Sequence, residues 1–485
     1  MHICLKKGCL SAKLKVDNQE QRSTQTTQDN NMAQSTQSQA EELSGIINFS
    51  TIGTTRVQAS FDEPDLVSDG GVLLVREAAE RNGIIDRMVS SMTDKRSPAH
   101  VKHTYGELLS QRVVQICHGY EDANDCDYLK DDPAIKVAVG RRPDSPDSLC
   151  SQPTMSRLEN SVGIRDLIRL FYGFVDHFLE SYEREPEMIC IDMDPTENRV
   201  YGAQQLSLFN AHYDDYCLMP FHIYEGLTGR LIAAIVRPGK TPTKEEILAL
   251  LKRIVARIRN RFPNTMIVFR ADSHHTKPEV MDWLESNDVR YVLGIGTNSR
   301  LKEATKVTER STARIYEQRQ SKVRQFHSFQ YAAGTWKRDR RIVARVEATA
   351  KGVDTRYIVT DFECTGAKYL YETIYCGRAR AELMIKEHKC YLKSSRTSCH
   401  TATANQFRLF LHSAAYLILH GFRDTVLKGT RFATSSFESI RLHILKVAAR
   451  IEVGKTFVRF HMPEKFDASD IYFRTAEISS ALTKT

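Results

Sequence analysis

The sequence predicts an α/β protein in which a block of helices precedes the sheet and a basic, strand-bearing segment interrupts it late. Three observations carry this. Apolar positions before Pro186 recur at helical spacing, short apolar runs of strand length begin after it, and Arg300 to Arg345 holds 13 Lys/Arg against 4 Asp/Glu. At 485 residues, 41% of them hydrophobic, the chain can bury a large core and divide into roughly two to four structural units. The formal net charge is +8, and Ala381 to Thr485 contributes 16 Lys/Arg against 9 Asp/Glu, so the remainder of the chain is net acidic. Two separated basic segments point to a polyanion groove, because phosphate neutralisation with counterion release dominates non-specific nucleic-acid affinity. Two solvated surfaces would give the same charge pattern.

Residues 1–44 read as a disordered leader: from position 16 onward Gln, Ser, Thr and Asn dominate, and Met32 is an alternative start. Residues 45–185 read as a helical domain. From Ser97 to Ile116 the apolar residues Val101, Tyr105, Leu108, Leu109, Val113 and Ile116 share a face, with Ser97-Pro98 as cap and first-turn proline and Gly119 as stop. A second helical block runs from Thr154 to Tyr182. Together they are compatible with a DNA-end-binding helix-turn-helix module, or with helices that simply pack together.

Residues 186–298 carry the strand-length runs Met188–Met193, Cys217–Tyr224, Leu231–Val236, Met266–Arg270 and Tyr291–Ile295. Helical stretches Lys244–Ile258 and Pro278–Glu285 separate the later ones, giving the order β-β-β-α-β-α-β. That order matches the first part of a ribonuclease-H-like catalytic core. Residues 299–365 read as a basic β-rich insertion with strands at Arg340–Ala348 and Thr355–Thr360. The core continues through 366–465 with helices at Tyr369–Leu392 and Phe407–Leu419 and a closing segment Ser435–Ala449, and 466–485 form a tail. The 11 cysteines include no C-x-x-C pair, which excludes a locally written zinc ribbon or dithiol site and fits reduced thiols in a cytosol. Phe407–Leu419 is broken by His412 and too short for a bilayer, so the expectation is a cytoplasmic protein with no membrane partner.

The chemistry is concentrated in three places. In Ile189-Cys190-Ile191-Asp192-Met193-Asp194-Pro195-Thr196 two carboxylates fall on one face at the end of an apolar strand. In Ile267-Val268-Phe269-Arg270-Ala271-Asp272 another strand ends in an aspartate. Each alone also suits a turn or helix cap. On adjacent strands they would supply hard oxygen ligands for two-metal phosphoryl transfer. A third carboxylate stands at Glu382, on a helix whose Arg378, Glu382, Lys386 and Lys389 form one polar stripe. That stripe is either an ordinary salt-bridged surface or a metal ligand flanked by phosphate-holding cations.

The pattern Y-x2-R-x3-E-x6-K, met at Tyr375, Arg378, Glu382 and Lys389, resembles the signature of the Asp-Asp-Glu transposases of bacterial insertion sequences. Further runs are similar to the insertion sequence 1380 group: Gly119-Tyr120-Glu121-Asp122-Ala123-Asn124-Asp125, Ser151-Gln152-Pro153-Thr154-Met155-Ser156-Arg157-Leu158-Glu159-Asn160, Asp192-x-Asp194-x-Thr196 and Asn405-Gln406-Phe407-Arg408-Leu409. The resemblance spans about residues 60 to 465. It implies a ribonuclease-H-like core interrupted before the glutamate helix, with Asp194, Asp272 and Glu382 holding Mg²⁺ or Mn²⁺, and with Asp192 as either the first ligand or its neighbour. It also implies that Tyr375, Arg378 and Lys389 handle DNA near the cut; Lys386, in the same polar stripe, is a further candidate DNA contact.

The expected activity is metal-dependent strand cleavage at the inverted-repeat ends of an insertion sequence, followed by transfer to double-stranded target DNA by a homodimer at the nucleoid. Arg112, Arg141, Arg142 and Arg157 are candidate phosphate contacts. Two positions depart from the family pattern: Tyr201-Gly202-Ala203-Gln204 where His-Gly-x-Gln is usual, and His274-His275 where an aromatic usually follows the second aspartate. These departures leave open a DNA-binding relic that represses transposition. A nuclease without strand transfer would have the same site.

Overall fold

A computed structural model describes residues 46–482, so the leader expected at 1–44 lies outside the described residues. The first compact unit, which ends at Leu66, contains an antiparallel hairpin of β1 (Ile47–Ile52) and β2 (Thr55–Ala59). The segment expected to open a helical domain at 45 is therefore strand.

The second unit, from Val67 on, begins with helices α1 (Val72–Asn82), α2 (Ile84–Ser91), α3 (Tyr105–His118), α4 (Gln152–Ser161) and α5 (Ile164–Glu180). Helix α3 stops at Gly119 as its sequence predicts, but it starts later. Thr104 accepts from the Glu107 backbone N–H at 3.2 Å, whereas Ser97 caps only the single tight turn Pro98–His100 and makes no side-chain cap bond. The second helical block is two helices, separated at Val162-Gly163.

The sheet follows: β3 (Met188–Pro195), β4 (Phe221–Glu225), β5 (Leu231–Ile235), helix α6 (Lys244–Arg261), β6 (Met266–Ala271), helix α7 (Pro278–Ser286) and β7 (Val289–Ile295). This is the order read from the apolar runs. One run splits: Pro220, which has no N–H to donate, ends Asp215–Leu218 in a small three-stranded sheet and releases Phe221–Glu225 to the large one.

Next come helix α8 (Ser299–Arg319) and strands β8 (Val323–Tyr331), β9 (Arg340–Thr349) and β10 (Gly352–Thr360). The interrupting segment is thus helix first and strand second. Its strands extend the same sheet, whose eight-strand order is β8-β9-β10-β7-β6-β3-β4-β5. Parallel β3, β6 and β7 form the centre, and antiparallel pairs flank them on both sides.

A helical run from 367 to 391 is regular only at α9 (Ala379–Lys386), with wide π-type turns at Leu370–Tyr375 and Glu387–Tyr391. Helix α10 (Ala402–Thr425) is buried along most of its length and packs against α1, α3, α4, α5 and β5. One hydrophobic core therefore joins the N-terminal helices to the sheet. The chain closes with an antiparallel pair, β11 (Ala449–Val453) and β12 (Val458–His461), and helix α11 (Ser469–Leu482), where the sequence had suggested helix and tail. No described helix is long and apolar enough to cross a membrane.

Candidate active site

Strands β3 and β6 run parallel with Asp192 beside Arg270. These two side chains, 1% and 3% exposed, form a two-pronged pair: Nε to Oδ1 at 2.7 Å and Nη2 to Oδ2 at 2.7 Å. The third nitrogen, Nη1, donates to the Ile374 carbonyl at 2.7 Å and ties the glutamate-bearing run to the sheet. Gly226 lies against this pair so closely that a Cβ there would clash with both partners. The Asp192 carboxylate is thereby neutralised by a guanidinium and closed off. Of the two candidates for first ligand, the open one is Asp194.

The β3–β6 pairing ends at that rung; two residues on, Asp194 near the end of β3 and Asp272 just past β6 are close enough for the Asp272 charge to act on the Asp194 carboxyl. Adjacent strands lie roughly 4.8 Å apart, which suits carboxylates sharing ions. The two aspartates are held differently. Burial pushes the Asp194 carboxyl up to about 6, reinforced by the Asp272 charge and opposed by Arg378, whose Nη1 sits 2.6 Å from Oδ2. Burial would also raise Asp272. There the hydrogen bond and charge of His275, together with His274, hold the carboxyl at about 2. His275 Nδ1 lies 2.9 Å from Oδ1 and His274 Nδ1 3.0 Å from Oδ2, while the His274 backbone N–H donates to Oδ1.

The histidine substitution after Asp272 keeps the geometry of an aromatic. The fully buried His275 ring packs against Phe221 and Phe269, with centroids 5.8 and 6.1 Å away, while its Nδ1 orients Asp272.

Arg378 also reaches toward Glu382, Nη2 to Oε1 at 3.8 Å. Glu382 is 67% exposed, so it joins the aspartates only through that guanidinium. Tyr375 lies over the strand ends, where a Cβ at Gly294 would come 2.7 Å from its hydroxyl, and burial with the two aspartates pushes its phenol up. Lys389 donates to Thr196 Oγ1 at 3.4 Å and pairs with Glu197 at 3.2 Å, just past the end of β3. Lys386 is exposed, its ammonium 5.5 Å from the centre of the Tyr391 ring.

Two anchors fix this helical run from below. His222, which pairs with Asp194 across β3 and β4, meets His388 with Nδ1 atoms 3.0 Å apart, and the Tyr224 hydroxyl donates to the Met384 carbonyl at 3.3 Å. Burial keeps both imidazoles neutral, with His222 brought down to about 3.

The expected phosphate contacts in the helical block separate. Arg112 is fully buried. It donates to the carbonyls of Tyr120 (3.0 Å), Asp122 (3.2 Å) and Glu121 and faces Glu159 at 3.4 Å, so it is an internal cross-link with no face for phosphate. Arg408 joins Glu159 from α10 at 3.1 Å, and Arg396 pairs with Asp122. The motif runs around 120, 152 and 405 therefore lock helices together. Arg141 pairs with Glu107 and Arg142 with Asp144, whereas Arg157 is exposed and, among the described residues, bonded to Thr154 alone.

Gln204, in the departing Tyr201 motif, donates to the Thr397 carbonyl at 2.6 Å and accepts from Asn405. Tyr201 itself is 80% exposed.

Sequence reasoning missed Arg270 and the His222–His388 pair. An arginine inside an apolar strand was a signal, since a buried charge demands a partner.

In kind, Asp194, Asp272 and Glu382 fit a divalent cation: three hard oxygen donors, one with a carboxyl pushed up by burial and by the neighbouring Asp272 charge. In position, Asp194 and Asp272 fit. Among the described residues no three Asp, Glu, His or Cys side chains converge as a finished metal cluster, because Arg378 stands between Asp194 and Glu382.

A family model described as Transposase DDE domain group 1 matches residues 49–483. Among solved structures, the chain is similar to a piggyBac transposase in a synaptic complex with hairpin DNA, at 11% identity and a TM-score of 0.39, covering 79% of this chain and 80% of that one. No curated protein matches it.

Proposed function

The chain belongs to the transposase DDE domain group 1 family, and from that premise we propose that it cuts and rejoins DNA at the ends of a bacterial insertion sequence of the 1380 group, using Asp194, Asp272 and Glu382. The observation that carries this reading is the nearness of Asp194, close to the end of β3, to Asp272, just past the end of parallel β6: the Asp272 charge acts on the Asp194 carboxyl, and Arg378 acts on both, beyond a neutralised Asp192–Arg270 pair. The strand order β5-β4-β3-β6-β7, with parallel β3, β6 and β7, supports a ribonuclease-H-like core.

Asp194 and Asp272 would hold Mg²⁺ or Mn²⁺, joined by Glu382 once Arg378 releases it. When bound there, a divalent cation supplies the Lewis acidity that activates the attacking oxygen and stabilises the leaving one. The protein's own groups do the positioning. His275 and His274 keep Asp272 ionised and oriented, and Arg378, freed from Asp194, turns its guanidinium to the scissile phosphate. Tyr375 and Lys389 flank the strand ends where that phosphate would lie. Pairing two ends calls for a homodimer on DNA.

The test is incubation with Mn²⁺ and a labelled duplex carrying the inverted repeat that flanks the gene, beside Asp272→Ala. Cleavage at the repeat boundary by the parent alone, with a joined product, is the expected result. Binding without cleavage by both proteins would leave a DNA-binding relic, and cleavage without joining would leave a nuclease.

A further inference from the structure

We propose that the outward face of α8 is a docking surface for the phosphate backbone of double-stranded DNA, engaged by Lys302, Lys306, Arg310 and Arg314. The inference rests on the DNA-acting function above but uses residues outside the carboxylate site.

These four cations recur every fourth residue, so they form an oblique stripe along one side of the helix, over about 18 Å at 1.5 Å per residue. The opposite side is fixed to the sheet. Leu301, Thr305 and Thr312 are buried, Thr305 Oγ1 lies 2.8 Å from the Tyr357 hydroxyl, and Thr312 donates to Gln325 at 2.7 Å. The stripe is therefore rigidly presented.

Two features of α8 oppose helix stability. Like charges four residues apart repel, and the first turn holds Arg300 with Lys302 close behind and no acidic residue, against the helix dipole. A merely solvated helix would interleave carboxylates at that spacing. Here Glu309 turns inward to Thr305 and Thr355, at 3.3 and 2.6 Å, Glu303 meets Lys306, at 3.1 Å, and Glu317, exposed beyond the last cation of the stripe, makes no ion pair among the described residues. Lys302, Arg310 and Arg314 have no ion-pair partner among the described residues.

Other cations of the basic block, on the strands, behave oppositely. Arg340 pairs with Asp282 and Glu285, Arg324 with Glu347 and Glu372, and Arg345 with Asp354. The cations of the strands hold the fold together, whereas in the α8 stripe all but Lys306 face outward with no carboxylate partner among the described residues.

The complementary ligand is a rod of closely spaced anions. A duplex presents one charge per about 1.7 Å of axis, or roughly ten over the length of the stripe. Single strands are usually gripped by aromatic side chains set among the cations. The exposed residues between these cations include Ala304, Val307 and Ser311, which offer no stacking face.

The test is a salt titration of binding to a labelled duplex by the full chain in EDTA. It compares the parent, the quadruple variant K302Q/K306Q/R310Q/R314Q, and a control, K322Q/K337Q/R338Q, whose cations are paired with Glu347, Asp282 and Glu285. The quadruple variant is expected to lower the steepness of log K against log[salt] by roughly three to four, at about 0.9 per phosphate contact, with its melting temperature unchanged or higher. The control should change the slope by less than one. An unchanged slope in the quadruple variant, an equal change in the control, or a larger change on single strands would each overturn the proposal. Because this readout needs no metal, failure of the cleavage reading would show separately, as no product with Mn²⁺ from a parent that still binds duplex.

Discussion

The last rung of the β3–β6 pair and the open position two residues beyond it both carry acids, and they do opposite things. At the first, Asp192 meets Arg270 in a dry, two-pronged pair with both charges matched. At the second, Asp194 and Asp272 stand with like charges at the strand ends, one carboxyl pushed up to about 6 and the other held at about 2. A step of two residues turns a structural tie into a cation-seeking site. The cause is what lies opposite: an arginine inside the strand in one case, a second aspartate in the other. Perturbed carboxyls set apart in this way are what metal-dependent or acid–base chemistry requires.

The largest effect should come from the open rung. Asp272→Asn keeps shape and removes charge, so cleavage of the end duplex should fall by on the order of 10³-fold, the cost of deleting one pre-organised group that stabilises transition-state charge. The melting temperature at neutral pH should fall only modestly, because Asn keeps the shape but loses the stabilisation that His275 and His274 give the ionised carboxyl. Single-turnover cleavage beside thermal unfolding checks this, and cleavage retained within tenfold would show that Asp272 is not a ligand.

The closed rung should respond in stability. Asp192→Ala leaves a buried guanidinium without its partner and should cost about 3–5 kcal/mol in a urea unfolding curve. The paired replacement Asp192→Leu with Arg270→Met should recover much of that loss, because the two desolvation penalties vanish together. If the double variant were no more stable than the single one, the pair would be doing more than neutralising itself.

The same contrast explains what could be read from sequence. Strands β3 and β6 were legible because Ile189–Ile191 and Ile267–Phe269 are apolar runs of strand length, and Asp194 and Asp272 were legible because they end them. The closing of Asp192 was not, since its partner is 78 residues away and only register brings the two together. Arg112 misled because arginine is usually exposed. Its neighbours Leu108 to His118 are nearly all buried, which makes α3 a helix enclosed on every side. Helix α8 escaped notice because its inward side chains include Thr305 and Thr312, whose hydroxyls bond back to the preceding turn and leave no apolar period. Strands β11 and β12 are short and interleaved with Arg450, Glu452 and Arg459, too little pattern to register.

The smaller effect is the pH dependence of the open rung, and its sign separates the two aspartates. The Asp194 carboxyl, near 6 when folded and near 3.8 when unfolded, binds more protons in the native state between those values. Its contribution to stability therefore falls as pH rises from about 4 to about 6 and is constant above. Asp272, held at about 2, acts in the opposite direction: it stabilises at neutral pH, and that stabilisation is lost as pH falls toward 2. In Asp194→Asn only the Asp272 dependence remains. The variant should gain on the parent by up to about 3 kcal/mol between pH 4 and pH 7, because proton uptake linked to folding changes stability by about 1.36 kcal/mol for each pH step of one. Urea midpoints at four pH values measure it. If the burdened carboxylate is a metal ligand, Mn²⁺ at pH 7 should stabilise the parent and not the variant. A parent indifferent to Mn²⁺ would mean that Arg378 alone satisfies Asp194 and that the open rung is as closed as its neighbour.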